Sequence, residues 1–186
     1  MEEWQPTFTY HGFRFVELTG FREKPSLSDF EGQVIYDEME TTGNLETSDP
    51  MINRIYKNAY WGIRGNYRGM PTDCPQRDER MGWLGDRAVG SQGESYIFNN
   101  HLLYAKWLDD IEQAQKENGA VPDVAPNYWD VCTDNMTWPG AYLIIANMLY
   151  DQFGDKQPII KHYPSMKKWM LSLIHISEPT RLQLIS

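Results

Sequence analysis

Cysteine is scarce in this sequence: Cys74 and Cys132 are the two thiols among 186 residues, and neither belongs to a CxxC pair. A disulfide-stapled small fold is excluded on that count. With four histidines, none at a metal-ligand spacing, a zinc module is excluded too, and no metal is expected. Basic charge is also short, 17 Lys and Arg against 26 Asp and Glu for a net charge of −9. A surface of that sign does not attract a polyanion, so nucleic acid is set aside as a partner. No apolar stretch approaches the ~20 residues a helix needs to cross a bilayer, so no membrane partner is expected. No signal peptide is visible, but Met1 reads as internal to a longer gene, which leaves localisation open. Fixed-period repeats and low-complexity segments are missing as well, which argues against a solenoid. What is present is 41% hydrophobic residues, enough for one sizeable core, and 13% aromatics, which fill cores and also stack on the apolar faces of sugars.

The densest chemistry lies in PTDCPQRDERMGWLGD, residues 71–86, where Asp73, Asp78, Glu79 and Asp86 share one segment with Arg77, Arg80 and Trp83. Charged runs are most often solvated helix faces, with Asp73 as an N-cap and Pro75 in the first turn. Here Cys74, Met81, Trp83 and Leu84 interrupt the charges with groups that favour burial. Gly82 and Gly85 cost helix stability and point to a backbone shaped for close approach. Acids, guanidiniums and an indole brought together suit glycoside hydrolysis. That reaction needs one protonated carboxyl for the departing oxygen, with other carboxylates binding hydroxyls and stabilising the ring's growing positive charge.

Period-2 alternation predicts strands over 7–18 and 33–40, with a Pro- and Ser-containing loop between them. Thr42-Gly43-Asn44 marks a junction. Beyond it, Ser48-Asp49-Pro50 supplies a helix start, and Met51, Ile52, Ile55, Tyr56, Ala59, Tyr60 and Ile63 recur at helical spacing. Helices are then predicted over 86–98, 100–116, 138–153 and 158–170, with a loop at 121–133 held by Pro122 and Pro126. Helices joined as antiparallel pairs by such loops fit a toroid of helical hairpins.

The run at 71–86 closely resembles the signature D-C-P-x-R-D-E-R-x-G-W-x-G-D of the α-L-rhamnosidases of glycoside hydrolase family 78. FTYHGFRFVELTG (8–20) is similar to the end of the β-sandwich before that family's catalytic barrel. TSDPMINRIYKNAYWGIRGN (47–66) is similar to its first barrel helix, and DNMTWPGAYLIIANMLYDQFGD (134–155) follows its pattern. The resemblance implies a mainly α chain: strands of a β-sandwich domain over 1–42, then the N-terminal half of an (α/α)6 six-hairpin toroid over 43–170. It further implies an inverting hydrolase that removes terminal α-L-rhamnose from a glycoside or polysaccharide, without a cofactor. Glu79 falls at the general acid, Asp73 and Asp86 at carboxylates that bind rhamnose hydroxyls, Arg77 at the guanidinium, and Trp83 and Trp138 at aromatic walls of the pocket. Asp78 is either a sugar ligand or the partner of an arginine. Arg77 and Arg80 favour an ionised Glu79, while Asp73, Asp78, Asp86 and desolvation beside Trp83 oppose it; the sequence does not decide between them.

An inverting enzyme needs a second carboxylate to activate water, roughly 6.5–9.5 Å from the acid. None of Glu94, Glu112 or Glu117 stands in the context of the family's base, so the base is expected outside these residues and the chain alone is expected to be inactive. Residues 171–181, LSLIHISEPTR, read as the translation of an adapter resembling those of transposase-based sequencing libraries, so 171–186 is expected to be a non-native tail, irregular or helical only by extension. The alternatives are another (α/α)6 glycosidase, a glycan lyase, or a carbohydrate-binding homologue that keeps the pocket without the base. A glutamate in the second half of the barrel would separate the enzymes from the binding module.

Overall fold

A computed structural model describes residues 3–133 and 135–182, with side chains to 173. Five α-helices follow in chain order: α1 Pro50–Gly65, α2 Leu84–Ser95, α3 His101–Ala114, α4 Ala141–Phe153 and α5 Gln157–Leu182. α1 begins as its sequence dictates, with the Asp49 carboxylate accepting from the Met51 amide at 2.7 Å and Pro50 in the first turn. α4 ends on Gly154 in the left-handed conformation (φ 67°), where the Gly154 N–H caps the Tyr150 carbonyl at 2.8 Å.

α4 is the hub, packing against α2, α3 and α5, while α3 also packs against α5. The core joins Leu84 and Ala88 of α2, Tyr104, Trp107, Leu108 and Ile111 of α3, Tyr142, Ile145 and Leu149 of α4, and Met166 and Trp169 of α5. Val121 and Ala125 enter it from the long loop before α4. A buried polar knot ties α2 to α3 and to the chain that follows α1. The Glu94 carboxylate accepts from the Tyr67 and Tyr104 hydroxyls, each at 2.7 Å, and pairs with the Arg87 guanidinium at 2.6 Å.

The strands expected over 7–18 and 33–40 are a correction. Among the described residues there is no strand, only isolated bridges at Thr41–Phe98, Tyr67–Pro71 and Trp83–Val124. The first segment runs extended, broken by one 3-10 turn at Leu27–Asp29 that Ser26 caps reciprocally with Asp29. Alternation supplies only the pattern of a strand, whereas a strand needs a neighbour that pairs with it residue after residue, and among the described residues this segment makes only scattered main-chain bonds, Asp37 N–H to the Tyr67 carbonyl at 3.0 Å and Asn99 N–H to the Glu40 carbonyl at 2.9 Å. The expected helix at 138–153 begins instead at Ala141, after a turn in which Ala141 N–H bonds the Trp138 carbonyl. At 171 the backbone shows no break: α5 continues to Leu182, Ser172 Oγ donates to the Trp169 carbonyl, and Leu173 touches the edge of the core. Residues 183–186 of the expected tail lie outside the described residues.

Candidate active site

The charged motif folds as a loop rather than as a solvated helix. Asp73 closes it at both ends: its amide donates to the Met81 carbonyl at 2.9 Å, and its Oδ1 accepts from the Met81 amide at 2.7 Å. The chain between carries Arg77, Asp78 and Glu79, and Arg80 takes a left-handed backbone (φ 50°) that brings it back to the clasp. Past the clasp, residues 82–84 pair with 123–125, through Ala125 N–H to the Gly82 carbonyl at 3.0 Å and Leu84 N–H to the Asp123 carbonyl at 2.9 Å. A Cβ on Gly82 would overlap the Ala125 carbonyl, so only glycine permits that pairing. α2 starts at Leu84, which sets Trp83 at its mouth and Asp86 in its first turn.

Trp138 arrives from the turn before α4. A Cβ on Gly85 would stand 2.9 Å from the Trp138 ring, so the indole lies directly on the α2 backbone. Its Nε1 donates to Asp86 Oδ2 at 2.9 Å. The turn itself is bracketed by residues to which the sequence reading gave no role. Asp123, 2% exposed, accepts from the Thr133 amide at 3.0 Å and from Asn135 Nδ2 at 2.8 Å. Asn135 Oδ1 in turn accepts the Thr137 and Trp138 amides. Hydrogen bonds therefore run from buried Asp123 through Asn135 to the Trp138 amide, and the Trp138 indole carries the contact on to Asp86. Its signal in the sequence is an acid inside the apolar run VPDVAP, where a carboxylate has to be satisfied by the protein.

Asp73, Cys74, Arg77, Glu79, Trp83, Asp86 and Trp138 line one cavity of 290 Å³. Six of the seven positions proposed from the sequence thus converge. Asp78 does not: it is fully exposed and pairs with Arg80 Nη2 at 3.4 Å, which is the arginine-partner alternative. Glu79, one quarter exposed, faces Arg77 Nη1 at 3.4 Å. The Trp83 indole N–H is buried without an acceptor. Donor atoms of Asp73, Cys74 and Glu79 come within 4.8 Å of one another, a grouping that could in principle hold a cation. The set is poor for one: burial, then the hydrogen bond with Asp73, pushes the Cys74 thiol up and keeps it protonated, and Asp73 Oδ1 is already engaged. What the arrangement offers chemically is a half-shielded carboxyl, further carboxylates and two aromatic faces around a volume that fits a monosaccharide.

The relatives bear on this geometry directly. The bacterial alpha-L-rhamnosidase 6 hairpin glycosidase domain matches residues 40–184, and the bacterial alpha-L-rhamnosidase concanavalin-like domain matches residues 1–36. An alpha-L-rhamnosidase of Streptomyces avermitilis is 39% identical over 169 residues, 91% of this chain and 16% of that protein. The structure of the alpha-L-rhamnosidase from Dictyoglumus thermophilum superposes with a TM-score of 0.90 at 43% identity, covering 95% of this chain and 20% of that one. The crystal structure of the Streptomyces avermitilis enzyme complexed with L-rhamnose gives 0.89 at 38% identity, covering 94% of this chain and 17% of that one. The chain thus spans about a sixth of the length of the curated relatives it matches. With helices that follow the six-hairpin architecture and a match across most of its length, the chain belongs to the bacterial α-L-rhamnosidase family.

Proposed function

We propose that the protein to which this sequence belongs hydrolyses terminal α-L-rhamnosyl linkages with inversion at the anomeric carbon, and that these residues build the acid side of its pocket. The observation that carries the reading is the convergence of Glu79, Asp73, Arg77, Trp83, Asp86 and Trp138 on one cavity. The Streptomyces avermitilis relative, similar over 94% of this chain, has been crystallised with L-rhamnose. Glu79 is the general acid, delivering its proton to the glycosidic oxygen as the C–O bond breaks. Asp86, held by Trp138, and the Asp73 carboxylate receive sugar hydroxyls, while the two indoles wall the ring and keep water from the acid. The carboxylate that deprotonates the attacking water comes from another part of the longer protein.

The test is a chimera in which residues 1–170 replace the matching segment of the Streptomyces avermitilis enzyme. It should release L-rhamnose as the inverted anomer from both an aryl rhamnoside and an unactivated rhamnosyl disaccharide. Glu79→Gln should lose roughly 10²–10⁴-fold in turnover on the disaccharide. The loss on the aryl substrate should be much smaller, because its leaving group needs little protonation. Asp86→Asn should impair both substrates alike. Equal losses on the two substrates for Glu79→Gln would remove Glu79 from the acid role.

A further inference from the structure

Arg80 follows the proposed acid but does not line the cavity, and the reading above gives it no task. Its side chain reaches residues 10–12 instead. Nη1 donates to the Tyr10 carbonyl at 2.7 Å, and the guanidinium lies 5.0 Å from the centroid of the Tyr10 ring, which also carries the Arg68 guanidinium at 4.3 Å. A second contact comes from the other side of the same turn. A Cβ on Gly12 would stand 2.8 Å from the Pro75 carbonyl oxygen and 2.9 Å from Gln76 Cα, so the Gly12 backbone rests on the loop itself.

These contacts supply what the loop's own clasp lacks. The two hydrogen bonds between Asp73 and Met81 fix the ends of the loop and define a hinge line through them. Rotation about that line moves Glu79 toward or away from the cavity, and the Arg77–Glu79 pair, half of it well exposed, is too weak to stop it. Preventing the rotation requires contacts away from the hinge. Residues 10–12 give two, one pulling on Arg80 and one pressing on Pro75 and Gln76.

We propose that Arg80 is a positioning residue for Glu79, and that the N-terminal segment at 10–12 is the buttress against which it sets the pitch of the acid-bearing loop. The inference rests on the rhamnosidase reading of the cavity and adds to it a dependence of acid catalysis on the segment that matches the family's concanavalin-like domain. Displacement of a catalytic group by about 1 Å can cost 10²-fold in rate, so a loosened loop should be visible in turnover on a substrate that needs the acid.

In the chimera, Arg80→Ala and Gly12→Val act on opposite sides of the loop and should leave the same signature. Each should lower turnover on the unactivated disaccharide roughly tenfold more than on the aryl rhamnoside. Arg80→Lys should recover part of the loss. A merely destabilising change would remove active protein and lower both substrates equally, so equal losses, or none, overturn the proposal. If Arg80→Ala does not yield folded protein, Gly12→Val decides alone. An unsubstituted chimera that is folded but inactive would instead overturn the rhamnosidase reading. Amide hydrogen exchange then decides the buttress: Arg80→Ala must accelerate exchange over 74–80 and leave 101–114 unchanged, and unaltered exchange at 74–80 rejects it.

Discussion

Residues 3–65 and residues 66–170 both carry many large apolar side chains, yet the two stretches treat them differently. No residue from 3 to 65 is buried, whereas the second stretch holds the whole core. In α1, Met51, Ile52 and Ile55 are exposed although they recur at helical spacing. In α3 the same kind of spacing buries Tyr104, Trp107, Leu108 and Ile111 completely. The difference is in what lies opposite: α3 has α4 and α5, while α1 touches the rest through single contacts such as the Tyr60–Phe98 rings and the Tyr56 hydroxyl to the Gly43 carbonyl. Amphipathic periodicity makes a helix able to bury a face, and burial itself requires a partner surface.

The sharpest break in this comparison should come from the polar knot of the second stretch. Glu94→Ala leaves the Arg87 guanidinium buried without its carboxylate and removes the shared acceptor of two buried hydroxyls. Removing one partner of a buried pair costs about 3–5 kcal/mol. Urea unfolding followed by tryptophan fluorescence should show the midpoint collapse, and a loss below about 1 kcal/mol would mean that water satisfies the knot.

Much of this contrast was readable in the sequence, and the unread part has a physical pattern. The helices were legible because apolar spacing and start signals such as Asp49-Pro50 are local. The convergence of Asp73, Arg77, Glu79, Trp83 and Asp86 followed from a dense motif, and Gly82 and Gly85 announced the close backbone approaches that Ala125 and Trp138 make. The strands at 7–18 and 33–40 failed because pairing is not a local property. Glu94 lacks the sequence context of a base, and its actual work depends on Tyr67 and Tyr104, which converge only after folding. Arg80 and Tyr10 are 70 positions apart, beyond the reach of any periodicity.

The same knot gives a pH dependence that the first stretch should lack. Burial first, and the Glu94 carboxylate second, raise the Tyr67 and Tyr104 phenols well above their ordinary values in the folded protein. Unfolded tyrosines release their protons near pH ~10. Above that pH the folded state therefore holds more protons than the unfolded one, so stability is intact below ~10 and falls as pH rises past it. Phenolate absorbance near 295 nm should appear in two stages, the exposed tyrosines first and Tyr67, Tyr104 and the equally buried Tyr142 only together with unfolding. A single smooth titration with tertiary structure retained would show that the knot admits solvent.

The smallest effect expected in this chain, and the one that sharpens the comparison most, belongs to α1. Ile55 is 61% exposed, so Ile55→Ser removes little buried apolar area and should shift unfolding by less than about 0.5 kcal/mol. In the longer protein proposed above, a toroid of helical hairpins places a neighbour against each helix, and the apolar stripe of α1 is where such a neighbour would sit. The identical substitution measured in the chimera should then cost about 2–4 kcal/mol, as a core truncation with a buried hydroxyl does. The cost should grow with context while that of Glu94→Ala stays the same, since the knot is complete within this chain. Equal, small effects of Ile55→Ser in both settings would mean that the α1 stripe faces water in the whole enzyme too, and that the contrast between the two stretches belongs to the family's fold rather than to a missing neighbour.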